Sequence, residues 1–493
     1  MSIIKIHEQG KIRPVPFAKG ETLLTVLQRE GVQIDTPCGG GGTCGKCAIH
    51  TSDGEVLSCT TLATDGLDIY PGSAGANELV VLDTYESVRA FSPGRKGEYG
   101  IAIDIGTTTL AYQLVDMKTG RRVSSHSAAN SQRKLGADVV TRIKQATEGA
   151  HAQLHACVID DIRHGVNAIL CKAGIDPGAI SWVAIAGNTT MLHLLQDMPC
   201  DTLGVFPFTP VDISPIQCTF ADVFGESELN ASLIILPGIS TFVGADITSG
   251  ILCCQSPDDM RPNLLIDLGT NGEMALFSSE KILVTSTAAG PAFEAGNISQ
   301  GVASIPGAIA KVRYLTENNV FRCETIDNEP AIGICGTGVV DIAAELVRHK
   351  LADETGRLEE PYFDDGITLA NNVTFTQKDM REIQLAKSAV RSGVDILLDV
   401  AEIGYNDVGQ VFLAGGFGHR MDMDSAVALG LIPQVLADKV VMVGNTSLGG
   451  AVHVLLSPDA EEAAQALAAR ATEVNLSTHP RFNELFMEHM MFE

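Results

Sequence analysis

Basic residues are scarce in this chain: 34 lysines and arginines stand against 60 aspartates and glutamates, giving a net charge of -26 and an isoelectric point near 4.8. A surface of that sign repels phosphate backbones, and no basic stripe exists to neutralise them, so nucleic-acid binding is excluded. Long apolar runs are missing as well. No window approaches about 18 uninterrupted apolar residues, and the N-terminal MSIIKIHEQG lacks the apolar core of a secretion signal. The expectation is a chain that neither crosses a membrane nor leaves the cytoplasm. Metal-ligand spacing is absent from Cys157, Cys171, Cys200, Cys218, Cys253, Cys254, Cys323 and Cys335. Their mostly apolar contexts fit buried small hydrophobes in a reducing compartment. At 493 residues the chain has room for about three domains with sizeable cores.

The other four cysteines crowd into TPCGGGGTCGKCAIHTSDGEVLSCT as Cys38, Cys44, Cys47 and Cys59. Gly39, Gly40, Gly41, Gly42 and Gly45 let this loop take positive φ and bring backbone N–H groups close to sulfur, which a dianionic iron-sulfur cluster needs. A zinc knuckle is the alternative for CxxC with two outlying cysteines, but it rarely needs so many glycines. The run resembles the plant-type ferredoxin ligands CxxxxCxxC with one residue more in the first gap, which implies a [2Fe-2S] cluster held by all four cysteines. Around it, residues 2–7 and 12–17 read as short strands about a turn at Gly10. A helix carrying Leu23, Leu24, Val26 and Leu27 follows, then strand-like pieces at 48–51 and 79–83 with 66–71 between them. That order resembles the β-grasp ferredoxins over residues 1–83.

Residues 84–99 contain SPGRKG, gather Arg89, Arg95 and Lys96, and break the hydrophobic pattern, so they read as a linker. From Gly100 the chain alternates β-branched strands with helices, the pattern of α/β layers. IAIDIGTTTL at 101–110 and LLIDLGTNGE at 264–273 repeat an apolar strand ending in Asp, one residue, then Gly-Thr. The expected organisation is therefore two duplicated halves, 100–260 and 261–493. A weaker echo links GADVVTRI, 136–143, with GADITSGI, 244–251.

These repeats resemble the two phosphate motifs of the superfamily of sugar and acetate kinases, heat-shock chaperones and actin, in which ATP lies between paired ribonuclease H-like halves. The resemblance implies that Asp104 and Asp267 hold Mg²⁺ through water. Gly106, Thr107, Thr108 and Thr109, with Gly269, Thr270, Asn271 and Gly272, would supply the hairpins and donors for phosphate. VFLAGGFGHR, 411–420, resembles the adenosine motif, with Gly415, Gly416 and Gly418 approaching the nucleoside. GICGTGVVDIAAEL, 333–346, is a Gly-rich turn opening a helix; Gly336, Thr337 and Gly338 would face an anion, and Asp341 would reach ribose hydroxyls. AIAGNTTMLHLL, 184–195, and GNTSLGGAVHVLL, 444–456, read as the two connecting helices of a hinge. Each motif alone recurs by chance at strand ends; five in superfamily order are specific.

Hydrolysis needs a group to orient water, and Asp246 and Glu273 are the candidates, with Asp138 a third. A helix N-cap is the competing role for an Asp in such a position. His193, in the apolar MLHLL, is expected to be a satisfied core residue, and His419 an exposed loop residue. The tail FNELFMEHMMFE has the spacing of a docking helix.

The whole is similar to the reductive activators of corrinoid proteins, through ANSQRKLGADVVTRI, GNTTMLHLL, IDLGTNGE, GICGTGVVDIAAEL and LAGGFG behind the ferredoxin segment. The resemblance implies ATP-dependent transfer of one electron from the cluster to the cob(II)alamin of a corrinoid protein, restoring cob(I)alamin for methyl transfer. It also implies an upstream electron donor. Plant-type clusters lie near about -400 mV and the cobalt couple is lower, so the transfer is uphill and nucleotide must assist it. Composition and spacing alone yield only an iron-sulfur ATPase. An activator of another low-potential metalloenzyme, such as the acyl-CoA dehydratase activators with their [4Fe-4S] cluster, therefore stays open. So do a cluster-regulated small-molecule kinase and a redox-sensing scaffold, and the oligomeric state. Only about 17 residues separate the ferredoxin segment from the first phosphate motif, so an intervening domain of longer relatives is expected to be missing and the tether short.

Overall fold

The computed structural model describes every residue except 1, 9–10, 31, 33, 35–46, 53, 71–83, 90, 226–227, 257–259, 417–420 and 493. Cys38, Cys44, Gly418, His419, the Gly10 turn and the strand expected at 79–83 lie outside the described residues.

The N-terminal unit is a five-stranded sheet with one helix on it. Ile3–Glu8 pairs antiparallel with Lys11–Pro16, and the helix Leu23–Arg29 buries Leu23, Val26 and Leu27 against them while Leu24 is buried beside Cys47 and Cys59. Thr22 caps that helix by accepting from the Thr25 N–H at 3.2 Å. Ala48–Thr51 occupies the span expected for it. The sheet is completed by Gly54–Leu57 and by Asp68–Tyr70, which lies between Ile3–Glu8 and Ala48–Thr51. Both pieces are too short to carry a readable alternation, and the second falls in the segment read as a spacer.

The rest of the chain is a duplicated α/β core built on two six-stranded sheets. In the first, Tyr99–Ile105, Thr109–Asp116 and Arg122–Ala129 form an antiparallel meander. Ile180–Gly187 and Ser232–Ile235 then add parallel on the far side of Tyr99–Ile105. The second repeats the plan: Asn263–Leu268, Gly272–Phe277 and Ile282–Thr287 meander, and Val411–Ala414 and Val440–Gly444 add parallel. Each half thus delivers the end of its first strand, with its Asp, to the same edge. No helix of the described residues is long and apolar enough to cross a membrane.

A helix follows the second of the two added parallel strands in each half, Ala245–Cys254 in the first and Thr446–Leu456 in the second, and the two pack face to face. The Ser249 hydroxyl donates to the Ser447 carbonyl at 2.6 Å. A Cβ on Gly450 would lie 2.2 Å from the Ser249 carbonyl oxygen, so the crossing depends on glycine there. This corrects two expectations. The hinge partner of 446–456 is 245–254, not 184–195, which instead comprises the end of Ile180–Gly187 and a helix, Thr189–Leu195, packed inside the first half. The sequences match because both begin Gly-Asn-Thr, and in both the Asn is the cap: Asn188 accepts from Met191 N–H at 3.0 Å and Asn445 from Leu448 N–H at 2.8 Å. Likewise GADITSGI corresponds in position to GNTSLGGA, whereas GADVVTRI follows the third strand.

Gly450→Val is expected to destabilise the core by about 1–3 kcal/mol through overpacking. Its unfolding midpoint would fall by about 2–4 °C per kcal/mol, measured by calorimetry.

The C-terminal helix Phe482–His489 docks on the long helix Gln377–Ala401, as its spacing suggested. Leu485 and Phe492 are buried. Gln384 and Lys387 donate to the Met490 and Met491 carbonyls at 2.7 and 2.6 Å.

Candidate functional site

Two hairpins and a helix start meet where the halves face each other. In the first hairpin the Gly106 N–H donates to the Thr109 carbonyl at 2.9 Å. Asn130 braces the loop from outside, its amide donating to the Gly106 carbonyl at 2.9 Å and its backbone N–H to the Thr108 carbonyl at 3.0 Å. Asn188 donates to the Thr107 hydroxyl at 3.0 Å. The second hairpin closes through Gly269 N–H to the Asn271 carbonyl at 3.0 Å, and Thr270 donates to Glu294 at 3.0 Å. Gly415 takes φ +92°, where a Cβ would sit 2.8 Å from an Asp267 carboxylate oxygen, so this turn passes the second phosphate hairpin at backbone distance. A Cβ on Gly416 would meet nothing within 4 Å, which leaves it facing open space.

Carboxylates dominate the electrostatics. Asp104 accepts from the Asn445 amide at 2.9 Å and the Ser447 hydroxyl at 2.6 Å, both from the opposite half. Burial raises its pKa and those two bonds oppose the rise. Asp246 lies in the first turn of Ala245–Cys254, whose cap position is Gly244, and its carboxylate accepts from the Ile247 N–H at 2.9 Å. Burial, with the charge of Asp104, lifts it to about 7. Asp267 is lifted to about 8 by burial and by Asp246, Asp104 and Glu294. Glu273, opposite Asp267 in the strand register, stands well above the carboxylate range because of burial and then Asp246 and Asp267. Glu294 rises by crowding in the protein, opposed by Thr270 and by the positive charge of Arg133 across the cleft; its side chain is nonetheless open to water.

Asp104, Asp246, Asp267 and Glu273 therefore share one field, contributed by both halves, in which like charges and burial disfavour full ionisation. Among the described residues, no three carboxylates, histidines or cysteines close into a direct metal-ligand set. The arrangement suits a hydrated divalent cation that neutralises the cluster from a distance.

Other candidates are placed elsewhere. Asp138 is a helix N-cap, accepting from Thr141 N–H at 2.7 Å. Asp341 is 2% exposed and points into the protein toward Val312 N–H and Ser425, so it is not available to ribose hydroxyls. Gly336 and Gly338 are buried, and Thr337 donates to the Ala310 carbonyl at 2.9 Å. A Cβ on Gly338 would lie 2.2 Å from the Ile309 carbonyl oxygen, so close packing on Ala308–Leu315, rather than phosphate approach, requires that glycine. His193 is a buried, fully bonded core residue, with Nδ1 donating to the Thr189 carbonyl at 2.8 Å and Nε2 accepting from Val211 N–H at 3.0 Å.

Several contributors escaped sequence reasoning. Asn445 and Ser447 hold Asp104 from across the molecule. Arg142 is fully buried, donating to the Gly136 carbonyl at 2.9 Å, to Gln132 at 3.1 Å and to the Thr107 carbonyl of the first hairpin. Burial lowers its pKa to about 9, so it stays charged at neutral pH beneath the phosphate loop.

In the N-terminal unit, Cys47 and Cys59 are buried at 1% and 8% exposure. Their sulfurs lie 3.1 Å apart, well beyond a disulfide bond of about 2.05 Å. Leu24, Ile34 and Leu57 surround them. Two converging thiols in an apolar pocket fit a thiolate-ligated group shielded from water. The buried Ser58 hydroxyl, next to Cys59, has no partner among the described residues.

Comparison with known proteins agrees with this geometry along the chain. Residues 6–69 match the 2Fe-2S iron-sulfur cluster binding domain, 99–258 the RACo middle region, and 261–493 the C-terminal domain of RACo, the ASKHA domain. The chain belongs to the RACo family. Two relatives of this RACo-family chain are similar over most of their length. The corrinoid activation enzyme RamQ of Eubacterium limosum is 28% identical over 565 aligned residues, covering 94% of each chain. The [Co(II) methylated amine-specific corrinoid protein] reductase of Methanosarcina barkeri is 27% identical over 422, covering 79% of this chain and 76% of the relative. The first alignment is longer than the 493 residues here, so that relative carries insertions this chain lacks. A solved structure described as a reductive activator for corrinoid, iron-sulfur protein superposes with a TM-score of 0.73 at 24% identity, covering all of this chain and 98% of that one, and establishes the shared fold.

Proposed function

We propose that this chain is an ATP-dependent reductive activator that passes one electron to the cob(II)alamin of a corrinoid protein, regenerating cob(I)alamin for methyl transfer. The observation that carries the reading is the conjunction, in one RACo-family chain, of a buried thiol pair and a carboxylate field assembled from two duplicated halves. Cys38, Cys44, Cys47 and Cys59 would hold the [2Fe-2S] cluster, which supplies a single low-potential electron.

Asp104 and Asp267 hold hydrated Mg²⁺, and the hairpins at 106–109 and 269–272 present donors to phosphate. Gly415 and Gly416 would line the nucleoside side, and the motif assigns Gly418 to the same role. Asp246 is assigned the water-orienting role: its pKa of about 7 matches a base working at neutral pH. Glu273, its pKa raised by burial and by the charges of Asp246 and Asp267, is the neighbouring carboxyl that helps orient the water. The partners are a corrinoid protein and an upstream reductant, in the cytoplasm, where the free buried thiols of Cys200, Cys253, Cys254 and Cys335 are at home.

The test is anaerobic absorption spectroscopy of a cob(II)alamin protein mixed with the chain, a low-potential reductant and Mg-ATP. The cob(I) band is expected only with ATP present. Its absence with every corrinoid protein tried would overturn the assignment, and phosphate arriving on a metabolite would favour a kinase.

A further inference from the structure

Residues 84–99, which read as a linker, are bonded along the hinge. The Thr84 carbonyl accepts from Asn445 N–H at 3.0 Å, Tyr85 forms an antiparallel bridge with Gly444, and Glu86 N–H donates to the Val443 carbonyl at 2.9 Å. Val88 and Arg89 N–H groups donate to the Cys253 carbonyl at 3.1 and 3.3 Å, at the end of the helix Ala245–Cys254. The Gly94 and Arg95 N–H groups donate to the Leu456 carbonyl at 2.9 and 3.0 Å, at the end of Thr446–Leu456. Arg95, 7% exposed, also donates to the Val454 carbonyl, pairs with Glu461, and lies over the Trp182 ring. Burial lowers the His453 pKa to about 4 and keeps the ring neutral, and its Nε2 is hydrogen-bonded to the Ser87 hydroxyl at 2.7 Å. That hydroxyl also lies within bonding distance of the Arg89 carbonyl at 2.6 Å and the Cys253 carbonyl at 3.1 Å.

Residues 84–86 therefore run beside the cleft end of Thr446–Leu456, and residues 88–95 grip both hinge helices at the ends remote from the cleft. Those same helices carry the cleft groups at their other ends: Asp246 begins one, and Asn445 and Ser447, which hold Asp104, begin the other. At about 1.5 Å per residue the two ends of either helix are only some 10–15 Å apart. Asn445 joins the systems directly, since its side chain donates to Asp104 while its backbone N–H donates to Thr84.

We propose that Asn445 is a positioning residue that couples nucleotide occupancy at Asp104 to the 84–95 strap, and through it to the attachment of the iron-sulfur domain. This rests on the nucleotide site proposed above. A change in Asp104 on cation binding moves the amide it accepts from, and the backbone of the same residue carries the first bond of the strap. The strap cannot respond to one hinge helix alone, because its bonds alternate between both. Closure of the cleft, which slides these helices past each other at Gly450, must shift it. The iron-sulfur domain is thereby steered by the ATPase core rather than held on a passive tether.

The test is hydrogen exchange of the 84–95 amides in the full chain, with and without Mg-AMPPNP, binding being measured separately by equilibrium dialysis. Neither measurement needs a corrinoid protein. In the wild-type chain nucleotide is expected to change exchange of these amides about tenfold, within the 5–150-fold span of ordinary coupling energies. Asn445→Asp keeps the helix cap and the backbone bond to Thr84 but loses the donor to Asp104, and should reduce that change to under twofold. Ser87→Ala leaves the cleft intact, so ATP hydrolysis should persist while the change shrinks and more ATP is spent per electron delivered. Nucleotide binding with unchanged strap exchange in the wild type would overturn the proposal while leaving the site reading standing. Failure to bind nucleotide would overturn both.

Discussion

Asp267→Asn is expected to lower Mg-ATP hydrolysis by about 10³-fold, since a cation that stabilises transition-state charge contributes several kcal/mol and loses its main anchor. The same substitution should raise the unfolding midpoint of the nucleotide-free protein above pH 7. Asp267 and Asp246 have native pKa values of about 8 and about 7, against about 4 in an unfolded chain. The native state therefore holds protons that the unfolded state releases, and stability present below about pH 4 is lost as pH rises through 7 and 8. Calorimetry of the apo protein should show a midpoint falling between pH 5 and pH 8, flattened in Asp267→Asn and reversed by millimolar Mg²⁺ in the wild type. A midpoint that rises over that interval, with no response to Mg²⁺, would mean that the carboxylates do not share a site.

Cys59→Ala is expected to abolish corrinoid reduction and the visible cluster spectrum while leaving Mg-ATP binding and basal hydrolysis within about twofold of wild type. Cys59 sits with Cys47 in a pocket of its own apolar side chains, separate from the cores of the ATPase halves. Losing one thiolate of four leaves an iron site open to water and exchange. Iron counting, EPR at low temperature and a phosphate-release assay on one preparation check the prediction. Loss of nucleotide binding in Cys59→Ala would show that the two functions depend on one fold.

The duplicated halves were legible because their signal is local: an apolar strand, an Asp, and a hairpin of Gly-Thr fit within ten residues, and Asp104 and Asp267 stand at the strand ends where the pattern put them. The groups that grip them were not, because Asn445 and Ser447 come more than 300 residues after Asp104 and resemble ordinary caps. Asp341 misled for the opposite reason. Its Gly-rich helix start resembles an anion site, but Val339, Val340 and Ile342 are buried on all sides of it, and the carboxylate goes in with them. The strap at 84–95 looked like a linker because five of its bonds run from its own N–H groups to carbonyls of Val443, Cys253 and Leu456. Main-chain bonds of that kind leave no mark in side-chain composition.

The docked tail has a consequence for biosynthesis. Leu485 and Phe492 complete the core of the second half by packing on Gln377–Ala401, so that half cannot finish folding until residue 492 has left the ribosome. At about 5–20 residues per second, the first half waits on the order of ten seconds or more with the Ser249–Gly250 face of its hinge helix uncovered. Chaperone capture should concentrate in that interval, and ribosome-bound chains arrested before residue 446 should bind holdases that full-length chains do not.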